Sequence, residues 1–183
     1  MSYLTNMTNS NKGLIIVYTG DGKGKTTAAL GLALRAAGWG KKVAIIQFIK
    51  GYKKTGEYKI IKKIPQIDIF QTFDDKNREI IKPRPEHKKP AIEAFALAKK
   101  FINRNTKYDV VILDEINNAM FYDLVEAGEI IKLLENKPVG QTIVLTGRGA
   151  PPEIIEIADL VTEMKSIRHP FDNGTPAKKG VDY

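Results

Sequence analysis

The segment Thr19-Gly20-Asp21-Gly22-Lys23-Gly24-Lys25-Thr26-Thr27 constrains this chain more than any other, because its alternate glycines stand between two runs of opposite character. Before it, Gly13-Leu14-Ile15-Ile16-Val17-Tyr18-Thr19 is apolar and β-branched, which fits a strand buried on both faces of a parallel sheet. After it, from Lys25, the residues Thr26, Ala28, Ala29, Leu30, Leu32, Ala33, Leu34, Ala36 and Ala37 favour a helix that Gly38 ends. A glycine turn from strand into helix brings backbone N–H groups and the positive end of the helix onto one spot, the construction of a phosphate-binding P-loop. Gly20, Asp21, Gly22, Lys23, Gly24, Lys25, Thr26 and Thr27 are therefore the expected contacts of a triphosphate, with Lys25 as point charge and the Thr26 hydroxyl on Mg2+. The usual spacing puts a first glycine five residues before Gly24. That position is Thr19, so the phosphates are expected to lie differently from those in a common hydrolase.

The rest of the chain repeats the alternation. Lys42 to Phe48 is a second buried strand, Ile67 to Phe70 a short one, and Ala91, Ala94, Phe95, Ala98, Phe101 and Ile102 form one helical stripe. Asp109 to Glu115 is a strand that ends in two carboxylates. Leu124, Ala127, Ile131 and Leu134 mark a helix, Thr142 to Thr146 a strand, Ile154 to Ala158 a short helix, and Leu160 to Met164 a last strand. Between Ile49 and Pro90 the pattern weakens into lysine, glycine and proline, as in an excursion that carries site loops. The expected architecture is α/β: a P-loop NTPase-like parallel sheet with helices on both faces and right-handed crossovers. Residues 13–183 make a single domain in this reading, preceded by a flexible arm, 1–12, and ending in an irregular tail from Arg168.

Composition narrows the chemistry. With no cysteine, disulfides, thiolate metal sites and cysteine nucleophiles are excluded. No apolar run approaches the roughly 18 residues of a membrane span, and Met1 to Lys12 lacks the pattern of a signal peptide, so a cytoplasmic protein without a membrane partner is expected. A net charge of +8 favours anionic ligands. The lysines at 50, 53, 54, 59, 62, 63, 82, 88 and 89, with Arg84, could track a nucleic-acid backbone or be solvated loop surface; the nearby aromatics form no obvious stacking platform, which weighs against nucleic acid. A kinase or ATPase needs a group that activates an attacking oxygen near the γ-phosphate, and neither histidine, His87 or His169, stands out as one. Asp114-Glu115 reads as the acidic end of a strand neighbouring the P-loop, where a carboxylate, Glu115 first, completes the coordination of Mg2+.

Several separated segments resemble the ATP:corrinoid adenosyltransferases: T-G-D-G-K-G-K-T-T at 19–27, G-K-K-V at 40–43, Q-F-I-K-G at 47–51 and G-E at 56–57. N-R-E at 77–79, L-D-E at 113–115, T-G-R-G at 146–149, H-P-F-D-N-G at 169–174 and G-V-D-Y at 180–183 follow in order. The resemblance implies that the cobalt of a reduced corrinoid, such as cob(I)alamin or cobyrinic acid a,c-diamide, attacks the 5′ carbon of ATP and releases whole triphosphate. It implies Lys25, Thr26 and Glu115 as catalytic residues, Thr26 and Glu115 on Mg2+ (Mn2+ as the alternative), and Arg35 and Arg148 on the nucleotide. Phe73 falls on a family tryptophan that keeps the lower axial ligand off cobalt. A family phenylalanine is replaced by Gln71, unless Phe70 substitutes after a shift of register. A homodimer, and a reduced flavoprotein or similar reductase as electron donor, are implied by the same resemblance.

Overall fold

Strands as apolar as Ile15–Thr19 must be covered from both sides, and the chain does this by sending helices alternately over a single sheet. In the computed structural model, residues 12–50, 55–73 and 85–183 are described. The elements are β1 (Ile15–Thr19), α1 (Lys25–Gly38), β2 (Val43–Gln47), α2 (Gly56–Ile61), β3 (Ile67–Gln71), α3 (Lys88–Phe101) and β4 (Val110–Asp114). They continue with α4 (Ile116–Phe121), α5 (Ala127–Glu135), β5 (Thr142–Thr146), α6 (Pro152–Ile157) and β6 (Leu160–Glu163). The six strands pair in parallel in the order β3-β2-β4-β5-β1-β6. The α/β expectation therefore holds, and each expected strand is present.

Alternate residues of β1 to β5 feed two cores, while the edge strand β6 is exposed. On one face Ile16, Val43, Ile45, Val110, Ile112 and Val144 pack with Ala29 and Ala33 of α1 and Ile61 of α2. On the other, Val17, Ile46, Val111, Leu113 and Leu145 meet Ala91, Ala94, Phe95 and Ala98 of α3, Ile130 and Leu134 of α5, and Ile154 of α6. Small residues at 29 and 33 let α1 lie close to the sheet, and its first turn comes down over the ends of the strands where the site lies.

The acidic end of β4 does lie beside the P-loop, since Asp114 Oδ1 accepts from Thr26 Oγ1, although β5 pairs with both β1 and β4 and lies between them. Two short helices, α2 and α4, were not foreseen, and Leu124 precedes α5, whose buried residues are Ile130 and Leu134. In the sheet Phe70 pairs with Ile46 and Gln71 with Gln47, and Phe70 packs against the core beside Phe101, at 4.8 Å between ring centroids. Apart from Lys12, which pairs with Asp159 at 3.2 Å, the N-terminal arm lies outside the described residues. The tail is mostly exposed and irregular, with one 3-10 turn at Pro170–Asn173.

Candidate active site

The P-loop is shaped by glycines with two different duties. Gly24 opens α1 at φ 118, a left-handed backbone that side chains disfavour. Gly20 and Gly22 are needed for close approach: a Cβ on Gly22 would stand 2.7 Å from the backbone of Lys165, and the Gly22 N–H donates to the Met164 carbonyl at 2.6 Å. One N–H of the loop is thus spent on the chain just beyond β6, and the first-turn N–H groups of α1 carry more of the anion-facing role than expected. Lys25 Nζ donates to the carbonyls of Gly20 at 2.6 Å and Gly22 at 2.7 Å, which holds the ammonium across the loop. Burial pushes its pKa down, the Glu115 carboxylate pulls it up, Arg148 and Lys50 lower it and Asp21 raises it. All four groups are therefore near enough to act on Lys25. Thr19, where the common spacing has glycine, accepts the Ala150 N–H on Oγ1 at 3.3 Å and so tethers the loop after β5.

The C-terminal end of β4 supplies the second half. Asp114 is 1% exposed, and its Oδ1 accepts from Thr26 Oγ1 at 2.9 Å and Thr146 Oγ1 at 2.7 Å. Its Oδ2 accepts from Gln47 Nε2 at 3.0 Å, and Gln71 Nε2 in turn donates to Gln47 Oε1 at 2.6 Å. A carboxylate only accepts, so it fixes both amides in this order and leaves Gln71 Oε1 buried without a donor among the described residues. Burial opposes the charge of Asp114, but Lys50 and the three donors outweigh it and hold the carboxyl below its ordinary range. Glu115 has a left-handed backbone, φ 65, unusual for a residue with a side chain, and its N–H donates to Thr146 Oγ1 at 3.0 Å. One threonine of β5 thus holds both the Asp114 carboxylate and the backbone of Glu115 just beyond β4.

Lys50, just beyond β2, stands in the Q-F-I-K-G segment of the resemblance but was given no role from the sequence beyond that of a loop lysine. Its Nζ lies 2.8 Å from Thr26 Oγ1, 2.9 Å from Glu115 Oε1 and 3.4 Å from Asp114 Oδ2. Burial works against its charge, yet Asp114 and Glu115 raise its pKa. The oxygens of Thr26, Asp114 and Glu115 therefore converge on one cation. Two carboxylates and a hydroxyl suit Mg2+ when phosphate oxygens complete its shell. Among the described residues no group of three acidic or imidazole side chains could hold an ion without such help.

The remaining predicted residues divide. Arg148 joins the cluster: its N–H donates to Asn118 Oδ1 at 2.5 Å, and its guanidinium lies 3.4 Å from the Asp21 carbonyl and 3.7 Å from the Asp21 carboxylate. Lys23 pairs with Asp182 of the tail, and Thr27 is exposed on the first turn of α1. Arg35 stands apart, exposed in the last turn of α1, about 15 Å along the helix axis from Lys25. Phe73 lies beyond β3, four strands from β1, half-buried and stacked on the buried His87 at 4.5 Å between centroids. His169 accepts the Phe171 N–H within the tail.

The family model described as ATP:corrinoid adenosyltransferase BtuR/CobO/CobP matches residues 11–183. The corrinoid adenosyltransferase of Escherichia coli strain K12 is 40% identical over 178 residues, covering 94% of this chain and 86% of that protein. A corrinoid adenosyltransferase of Sinorhizobium sp is 42% identical over 174 residues (94% and 81%), and the corrinoid adenosyltransferase CobA of Salmonella typhimurium is 39% identical over 178 residues (94% and 86%). In fold, the chain is similar to the crystal structure of the KaiC-like protein PH0186 from Pyrococcus horikoshii OT3, with a TM-score of 0.50 and 18% identity over 84% of this chain and 73% of that one. Sequence order, the glycine-shaped loop and the acidic end of β4 all agree with these likenesses, and the chain belongs to the ATP:corrinoid adenosyltransferase family.

Proposed function

We propose that this enzyme carries out its family's general reaction, the transfer of the adenosyl group of ATP to the cobalt of a corrinoid, on the surface formed by the C-terminal ends of its strands. The observation that supports this placement is the convergence of Lys25, Thr26, Lys50, Asp114, Glu115 and Arg148 around the P-loop. In this reading the reduced corrinoid substrate attacks C5′, the C5′–O bond breaks, and the electron pair leaves with the triphosphate. Lys25 and the N–H groups at the start of α1 take up the charge that develops on the departing oxygen. Mg2+, or Mn2+, held by Thr26 and Glu115 would add its own charge to the same leaving group.

Arg148 reaches over Asp21 toward the phosphates, whereas Arg35 enters only as an exposed cation at the far end of α1. Phe73 forms part of the corrin pocket, backed by His87. A homodimer and an external reductase such as a reduced flavoprotein belong to the same proposal. The partly exposed Leu160 and Val161 on the outer strand β6 are apolar surface that a second copy would cover. No described helix is long and apolar enough to cross a membrane, and a cytoplasmic location is proposed on the family's chemistry.

The test supplies ATP, Mg2+ and chemically reduced cobalamin to the purified protein without oxygen. A light-sensitive alkylcobalamin spectrum with one triphosphate per turnover is expected. ADP and phosphate, with the corrinoid untouched, would refute the proposal.

A further inference from the structure

Lys50 is bound more closely to the catalytic oxygens than a loop lysine has any reason to be. Its ammonium touches the Thr26 hydroxyl and the Glu115 carboxylate that the proposed metal would use, at 2.8 and 2.9 Å, and lies 3.4 Å from the Asp114 carboxylate behind them. An ammonium donates along such distances, whereas Mg2+ sits about 2.1 Å from each oxygen it binds. An ion that reached the same oxygens would lie within bonding distance of Nζ, where no second cation can stay. The two therefore exclude each other.

We infer that the Lys50 ammonium and the divalent ion of the triphosphate are alternative occupants of one cation position, so that Lys50 keeps free divalent ions out until a nucleotide brings its own. This rests on the reading of Thr26 and Glu115 as metal-facing residues. The Lys50 side chain is 40% exposed, on a flexible four-carbon stem, and so has room to leave. The incoming triphosphate supplies both the remaining ligands of the ion and a new set of anionic oxygens for the displaced ammonium. The buried Asp114 is never left without a cation, which matters because an uncompensated charge in that position is costly. Lys50 is thus a positioning residue whose effect appears in metal binding before any chemistry.

Mn2+ binding to the nucleotide-free protein, followed by electron paramagnetic resonance, tests the inference. Wild type should bind Mn2+ weakly. Lys50→Met and Lys50→Gln should each bind it roughly tenfold or more tightly, because a positive charge about 3 Å from the ligand oxygens is gone. Adding Glu115→Gln to Lys50→Met should abolish the gain. In parallel, millimolar Mg2+ should raise the Tm of both single Lys50 variants and leave wild type unmoved. Unchanged Mn2+ affinity in both variants overturns the inference, and so does failure of both to fold in Mg2+, since the ion would then not replace the ammonium. The underlying metal reading has its own readout: if Glu115→Gln leaves the Mn2+·ATP spectrum of otherwise wild-type protein unchanged, that reading falls. A Glu115 effect without a Lys50 effect sinks the inference alone.

Discussion

Replacing Asp114 with Asn keeps the shape of the most buried acid in the site and removes only its charge and one acceptor. In the wild type its two oxygens receive three neutral donors, from Thr26, Thr146 and Gln47, and lie 3.4 Å from the Lys50 ammonium. Asn can keep both hydroxyls on its remaining oxygen, and its new NH2 group faces Gln47. The Gln47 and Gln71 amides can both turn over, since the orphaned Gln71 Oε1 is then given the Gln47 amide as a donor. What cannot recover is the attraction to Lys50 and the charge assistance on the hydroxyls. Removing one partner of a fully buried pair typically costs about 3–5 kcal/mol; Lys50 is partly exposed and keeps Glu115, which with the amide reversal places Asp114→Asn at about 2 kcal/mol. For a chain of this size that is a fall in Tm of about 4–8 °C, read by calorimetry at pH 7. The folded carboxyl lies below its unfolded value of about 3.9, so this stability is complete above that pH and is lost only as pH falls further, toward the folded pKa. The gap between wild type and variant should accordingly be constant from neutral pH down to about pH 5 and close in stronger acid. A variant within about 2 °C of wild type at pH 7 would refute the assignment of Asp114 as the charged centre of this network.

Lys25→Ala should leave the Tm close to wild type and reduce kcat by roughly 30- to 1,000-fold, the loss of one charged donor to a leaving group; normal turnover would remove Lys25 from the mechanism. Phe73→Ala should lower the rate of adenosylation while ATP affinity, measured by calorimetric titration, stays unchanged; an unaltered rate would take Phe73 out of the corrin pocket. Gly22→Ala would place a Cβ 2.7 Å from the Lys165 backbone, so both Tm and ATP affinity should fall, and an unaffected ATP affinity would show that the loop does not need its seat on that segment.

Those parts of the fold that depend on local composition were legible in the sequence. The inner strands are β-branched runs because they are buried on both faces, and α1 ends at Gly38 as its residues foretold. Strand order was not legible: nothing local in Thr142–Thr146 says that it lies between β1 and β4. The helix α4 escaped because six residues carry too little period and because it begins at a left-handed glutamate, a conformation held by Thr146 from another strand. Lys50 was hidden among similar residues, since its partners are 24 and 64 positions away. The available signal was its place just past β2, in the Q-F-I-K-G segment. Thr19 shows the reverse case: its departure from glycine was visible, but its work as acceptor for Ala150 required the loop after β5 to be in place.

The seat of Gly22 on Met164 has a consequence for how the enzyme is made. The glycine loop is synthesised early, yet the carbonyl that fixes it belongs to residue 164 of 183, just past the outermost strand. A nascent chain on the ribosome can therefore carry all of the loop's own residues and still lack this contact. A chain truncated before Met164 should accordingly bind ATP more weakly than the full chain, although every residue of the loop is present; equal affinity would show that the loop takes its shape without the last strand.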